Sequence, residues 1–193
     1  WSGSDGGSGI STYEYALGTS PEGSDEIDWT DAGTTTGDTL TGLSFSEGST
    51  YYLSARATDV AGNLSDVLSG DGITIDLTAP TPGIVIDGTE TDLSYTGSDS
   101  TLTASWYWFE DNISGITGYE ISANDGDIYP WTGVGNVSSY TITGLNLEHA
   151  AVYTLTVRAT DAAGNVSEAV SADGITVDTE SPSSILDIAD DYY

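Results

Sequence analysis

The sequence predicts an all-β protein: two tandem antiparallel β-sandwiches, the first lacking its N-terminal strands in this chain. Three observations lead there. Apolar and polar residues alternate at period two over many short segments, as strands with one buried face require, and no ten-residue stretch carries a helical period. Clusters rich in Gly, Thr and Asp, such as "TDAGTTTGD" at 30–38, separate those segments. The second half of the chain repeats the first at a spacing of 102 residues.

In chain order, Tyr13, Tyr15 and Leu17 give the first apolar face, and Trp29 follows a loop. "TLTGL" (39–43) leads to a strand that sets Tyr51, Leu53, Ala55 and Ala57 against Tyr52, Ser54, Arg56 and Thr58. "DVAGNLS" (59–65) turns that strand into the last one, which carries Ile73 and Ile75. In the second copy the residues between Pro80 and Trp106 leave room for two further strands, with Leu102, Ala104, Trp106 and Trp108 on one face. Tyr119 and Ile121 then match the first face. Tyr153, Leu155, Val157 and Ala159 alternate with Thr154, Thr156, Arg158 and Thr160, and "DAAGNVS" (161–167) repeats the turn. The paired segments are "YYLSARATD" (51–59) with "YTLTVRATD" (153–161), "DGITIDLTAP" (71–80) with "DGITVDTESP" (173–182), and Trp29-Thr30 with Trp131-Thr132. Nearer the start the spacing is 106, where "SGISTYEYA" (8–16) meets "SGITGYEIS" (114–122). A repeat of this length is a domain that folds alone rather than a solenoid unit.

The order of motifs resembles the fibronectin type III or Ig-like modules strung in tandem in large bacterial surface and secreted proteins. The matching features are Trp106 in strand B, "SGIxxYE" into strand C, "LTGL" leading to Tyr51 or Tyr153 in strand F, then "RATDxAGNxS" and "DGIxxDxxxP". The resemblance implies an Ig-like, fibronectin III-like sandwich for each copy. From Leu43 to Tyr51, and from Leu145 to Tyr153, is eight residues, longer than the usual corner. Expected boundaries are 1–77 for a truncated module, 78–180 for a complete one, and 181–193 for a linker with the first strand of a following module. The alternative for residues 183–193 is a strand donated to a neighbouring copy, which would build a filament.

Composition narrows the function. Thirty-one acidic residues stand against two arginines and no lysine, a net charge of −29. Such a surface repels nucleic acid and anionic membranes and tolerates high salt or divalent cations. There is no cysteine, hence no disulfide or thiol chemistry. No apolar run reaches membrane-spanning length. An extracellular or cell-surface location follows, with neighbouring modules or other copies of the chain as partners, possible glycan partners, and no nucleic acid or membrane insertion.

In a sandwich of this topology the B–C loop, the F–G loop and the preceding linker meet at one pole. In the second copy these bring Asp76, Glu110, Asp111, Asp161 and Asn165. In the first copy the same loops hold Asp5, Asp59 and Asn63, and Asp178 occupies the next linker. Converging carboxylates repel unless a cation lies among them, and Ca²⁺ takes roughly six to eight such oxygens from flexible loops. Ca²⁺ at module junctions is therefore expected as a stiffener. The bland reading of "DxAGNxS" stands beside it: Asp caps its own turn and Gly-Asn supplies the bend. Asp71-Gly72 and Asp173-Gly174 mark a bulge in the last strand, with no metal role expected.

Catalysis has little to work with. His149 is the only histidine, and neither a Ser–His–Asp set nor a phosphate loop is present. Asn63, Asn112, Asn136 and Asn165 begin N-x-S sequons. Trp29 and Trp131 recur and suit packing, while Trp108 lacks a counterpart and suits a local role. The expected function is a non-catalytic stalk or adhesin shaft rigidified by Ca²⁺. The alternatives are a self-assembling filament subunit and a carbohydrate-binding or accessory module of a secreted hydrolase.

Overall fold

The computed structural model describes residues 1–183. The strand expected in the C-terminal segment lies outside the described residues beyond Ser183. The chain divides into two compact units, Trp1–Thr78 and Ala79–Tyr193. No helix among the described residues is long and apolar enough to cross a membrane.

The first unit holds β1 (Ile10–Gly18), β2 (Ile27–Gly33), β3 (Thr50–Asp59), β4 (Leu68–Ser69) and β5 (Ile73–Thr74) in one sheet of order β2-β1-β3-β4, with β5 also on β3. Tyr13, Tyr15, Ala16, Leu17 and Tyr51 are its buried apolar residues. The alternation expected along β3 fails as burial: Leu53 is 41% exposed and Ser54 fully buried. No strand among the described residues of this unit covers the Leu53 face, and Phe45, Leu68 and Ile73 are exposed as well. Trp1 gives partial cover, stacking on Tyr15 at 5.6 Å while its indole N–H donates to Thr35 O at 3.0 Å.

The second unit has the missing layer. Its strands are β6 (Ile84–Asp87), β7 (Tyr95–Thr96), β8 (Thr101–Tyr107), β9 (Ile116–Ala123), β10 (Tyr129–Gly135), β11 (Ser139–Thr143), β12 (Val152–Tyr153), β13 (Leu155–Asp161), β14 (Val170–Ser171) and β15 (Ile175–Val177). One sheet runs β10-β9-β13-β14 and the facing one β11-β8-β6, with β12-β15-β7 beside them. β15 pairs with β7 in parallel, the one departure among the described pairings from the antiparallel pattern expected. Val85, Leu102, Ala104, Trp106 and Ile142 from one side meet Ile121, Ala123, Leu155, Val157 and Ala159 from the other. Residues 37–41 of the first unit match β11 in sequence yet form no strand, because the β8 they would pair with has no counterpart there.

Two sequence expectations change here. The face through Trp108 stops one residue early: β8 ends at Tyr107, Trp108 turns out to 73% exposure with φ of 61°, and Phe109 goes inward instead. The Asp-Gly kink is where the last strand changes partner, since β14 pairs with β13 and β15 with β12. The kink has Gly174 at φ of 104°, a region that disfavours other residues.

The long corner before strand F closes the same way in both units. Ser46 N donates to the Tyr51 hydroxyl at 3.0 Å, and Glu148 N to the Tyr153 hydroxyl at 2.9 Å. A hydrogen bond of this partly buried kind contributes roughly 0.5–1.5 kcal/mol. Tyr153→Phe should therefore lower the unfolding free energy of the full chain by about 1 kcal/mol in urea titrations. An unchanged midpoint would show that the corner is held by packing alone.

Candidate functional site

The "DxAGNxS" loops are copies at the level of single hydrogen bonds. Asp59 Oδ1 accepts from Asn63 N at 2.8 Å and Asp161 Oδ1 from Asn165 N at 2.8 Å. The Asn side chains close the ring, Nδ2 donating to Asp59 Oδ2 at 2.7 Å and to Asp161 Oδ2 at 2.8 Å. Gly62 at φ of 88° and Gly164 at φ of 93° turn the backbone where a side chain would be strained. The serine hydroxyls accept from Ala57 N and Ala159 N, both at 2.9 Å, so the strand behind each loop is pinned too.

The neighbouring loops repeat as closely. Asp5 Oδ2 accepts from Gly7 N at 3.0 Å and Gly9 N at 2.7 Å. Asp111 Oδ2 accepts from Ile113, Ser114 and Gly115 N at 3.1, 2.9 and 2.6 Å. The two loops are then clamped together, Ala162 N donating to Gly115 O at 3.0 Å and Val60 N to Gly9 O at 2.9 Å.

In the second unit this clamp brings a carboxylate oxygen of Asp111 and one of Asp161 within 4.8 Å of each other. Asp161 is almost fully buried. Burial pushes its carboxyl up, but hydrogen bonds from the Asn165 side chain and the Asn165, Gly164 and Ala163 amides outweigh it and hold the group below the usual range. Asp161 therefore stays ionised close to a second carboxylate. Glu110 takes part through its backbone, exchanging hydrogen bonds with Thr81 at 2.7 and 3.2 Å, and its side chain is exposed. Asn165 acts as a donor to Asp161, as its turn role requires. Asp76 and Asp178 share one motif, each Oδ1 accepting the amide two residues on (Thr78 and Glu180) at 3.2 Å. Asp178 also lies 3.8 Å from His149 Nδ1, which ties the single histidine to the end of the second unit.

The arginines sit in matching stacks. Arg56 donates to Glu14 at 2.8 Å with its guanidinium 4.1 Å from the Trp29 ring centre; Arg158 donates to Glu120 at 2.7 Å and lies 4.5 Å from that of Trp131. One face of each recurring tryptophan is thus covered by its own arginine.

Sequence reading passed over Asp87 and Asp92, which lie close to Asp173. A signal existed: Asp87 falls two residues after Val85, on the inward side of β6, where an apolar residue belongs.

No family model matches the chain. It is 37% identical over 139 residues to Chitinase A1 of Niallia circulans, covering 71% of this chain and 19% of that protein. It is 33% identical over 183 residues to Exoglucanase B of Cellulomonas fimi, covering 90% of this chain and 15% of that protein. The chain therefore spans less than a fifth of the length of either relative. Among solved structures, titin domains A168–A170 align with a TM-score of 0.51 at 15% identity, over 87% of this chain and 55% of that one.

Asp161 is held below its ordinary range, so its contribution to stability is complete above about pH 4, the unfolded value, and is lost as pH falls through the lower folded value. Asn165→Ala should remove much of it. In EDTA the variant should melt lower than the parent at pH 7, and the gap should shrink as pH falls through the acid range. A gap that stays constant with pH would contradict this account of the loop.

Proposed function

As a tandem array of fibronectin type III-like modules of the kind found in large bacterial extracellular proteins, this chain, we propose, is a non-catalytic spacer that keeps its neighbours apart and is stiffened by Ca²⁺. The observation that carries the reading is the Asp111–Asp161 pair, two carboxylate oxygens within 4.8 Å on loops already clamped to each other. Asp76 and Asp178 stand at matching linker positions, each with its carboxylate capped by the amide two residues on. Amide-locked carboxylates suit Ca²⁺ because their oxygens are set before the ion arrives, while water fills the rest of its shell. Relatives named as a chitinase and an exoglucanase support an accessory place in a modular extracellular protein.

Ca²⁺ at about a hundred times its dissociation constant should stabilise the second unit by roughly 2.7 kcal/mol. Calorimetry should show its transition rising with Ca²⁺ and returning with EDTA, and Asp111→Asn should abolish the response. Spin-label distances between the units should narrow in Ca²⁺. Melting and distance distributions indifferent to EDTA would overturn the reading.

A second reading has one observation in its favour. Trp108 is 73% exposed, with Tyr107 beside it at 6.5 Å between ring centres. Paired exposed aromatics stack on sugar rings, and the relatives' names point to chitin and glucan. Under this reading chitin or cellulose would retain the chain and shift its Trp fluorescence, and Trp108→Ala would release it. Equal retention of parent and variant would exclude Trp108 as the contact.

A further inference from the structure

The far end of β6 presents a chemical problem that the protein's own side chains do not solve. Asp87 is fully buried, and its Oδ1 has no hydrogen-bond partner among the described residues. Its Oδ2 accepts one bond, from Gly174 N at 3.1 Å across the sandwich. Asp87, Asp92 and Asp173 each place a carboxylate oxygen within 4.8 Å of the other two. Asp92 and Asp173 are exposed, so the cluster opens to solvent.

We propose that Asp87, Asp92 and Asp173 form a second cation site, for Ca²⁺, separate from the Asp111–Asp161 pair and independent of the reading given to it.

Charge makes a protein counter-ion unavailable. The whole chain has two arginines and one histidine. Arg56 is engaged with Glu14, Arg158 with Glu120, and His149 faces Asp178 and Glu180. The positive charge must come from solution, as a proton or as a metal ion. Three carboxylate groups thus share one pocket, one of them buried with an unpaired oxygen, and no cation of the described residues lies among them. A hard divalent cation with carboxylate oxygens around it is the species that settles them. The exposed side leaves positions for water.

The site is also built rather than gathered by chance. Asp92 Oδ1 accepts from Asp87 N at 3.0 Å and Leu93 N donates to Asp87 O at 2.8 Å, closing the 87–93 loop on itself. The Ser105 hydroxyl lies 2.8 Å from Gly88 O and 3.0 Å from Thr89 O, holding the loop from beneath. The Gly174 amide then fixes the Asp87 carboxylate against the β14–β15 kink. An ion here would bind that kink to the loop after β6, so that the last strand could not peel away from the first.

The test is a Ca²⁺ titration of the full chain at pH 7.5 in 0.15 M NaCl, followed by amide NMR. Gly88, Leu93 and Gly174 report this site; Gly115 and Asn165 report the Asp111–Asp161 pair. Saturable shifts are expected at the first three, persisting in Asp111→Asn. The Asp92→Asn, Asp173→Asn double variant keeps an acceptor oxygen for Asp87 N and should fold. It should bind Ca²⁺ at this site at least about tenfold more weakly, since ligand charge sets such affinities. Glu90→Gln removes a charge from the same loop outside the cluster, and should change affinity less than about twofold at this ionic strength. Failure of Gly174 to shift would overturn the proposal. So would a Glu90→Gln loss as large as that of the double variant, which would mark diffuse counter-ion binding. Neither result would touch the Asp111–Asp161 reading, whose reporters are different amides.

Discussion

Thirty-one carboxylates share this chain with two guanidinium groups, and the structure's local architecture answers to that imbalance. Where a protein with balanced charges sets Lys or Arg beside an acid, this one often uses the backbone. Asp5, Asp59, Asp111 and Asp161 each accept backbone N–H groups of their own loop. Such charge-assisted bonds are stronger than neutral ones and need no second side chain. They also turn the chain, so one interaction serves as both corner and charge sink. The limit is that amides supply partial charge only. Where two or three carboxylates converge, amides alone leave charge unbalanced, which is the ground for the cations proposed above.

The two arginines mark the places where a full positive charge was kept. Each lies on the strand leading into a "DxAGNxS" turn, between a glutamate on the adjacent strand and a tryptophan ring. The resulting stack fastens three strands of one sheet on its outer face. Exposed pairs of this kind contribute little alone, and the ring adds about 0.5–1 kcal/mol. Their value is positional: they hold the strand whose end presents Asp59 or Asp161. Packing, loop geometry and candidate function are thus linked along one strand in each unit.

Much of this was legible in the sequence. The 102-residue repeat gave equivalent residues, and period-two alternation gave the strands of both units. Position-by-position agreement in the Asp loops follows from sequence identity at Asp, Gly, Asn and Ser. The failures have physical causes. Leu53 alternates correctly but has no facing sheet among the described residues, so periodicity did not become burial. Trp108 continues the alternation of β8 in sequence, yet its backbone turns left-handed and the strand stops. Asp87 was missed because an acid on an apolar face looks like noise in a chain with so many acids. Its meaning depends on Asp92 and Asp173, which reach it from five and eighty-six residues away and which no spacing rule joins.

The central claim is that amide-locked carboxylates of the second unit are preset for a divalent cation. An anomalous difference map from a crystal of the full chain grown in Ca²⁺ tests it most directly. The account predicts a peak about 2.3–2.6 Å from carboxylate oxygens of both Asp111 and Asp161. A well-ordered map with Asp161 bonded only to its own loop amides, and no anomalous density beside it, would contradict the claim.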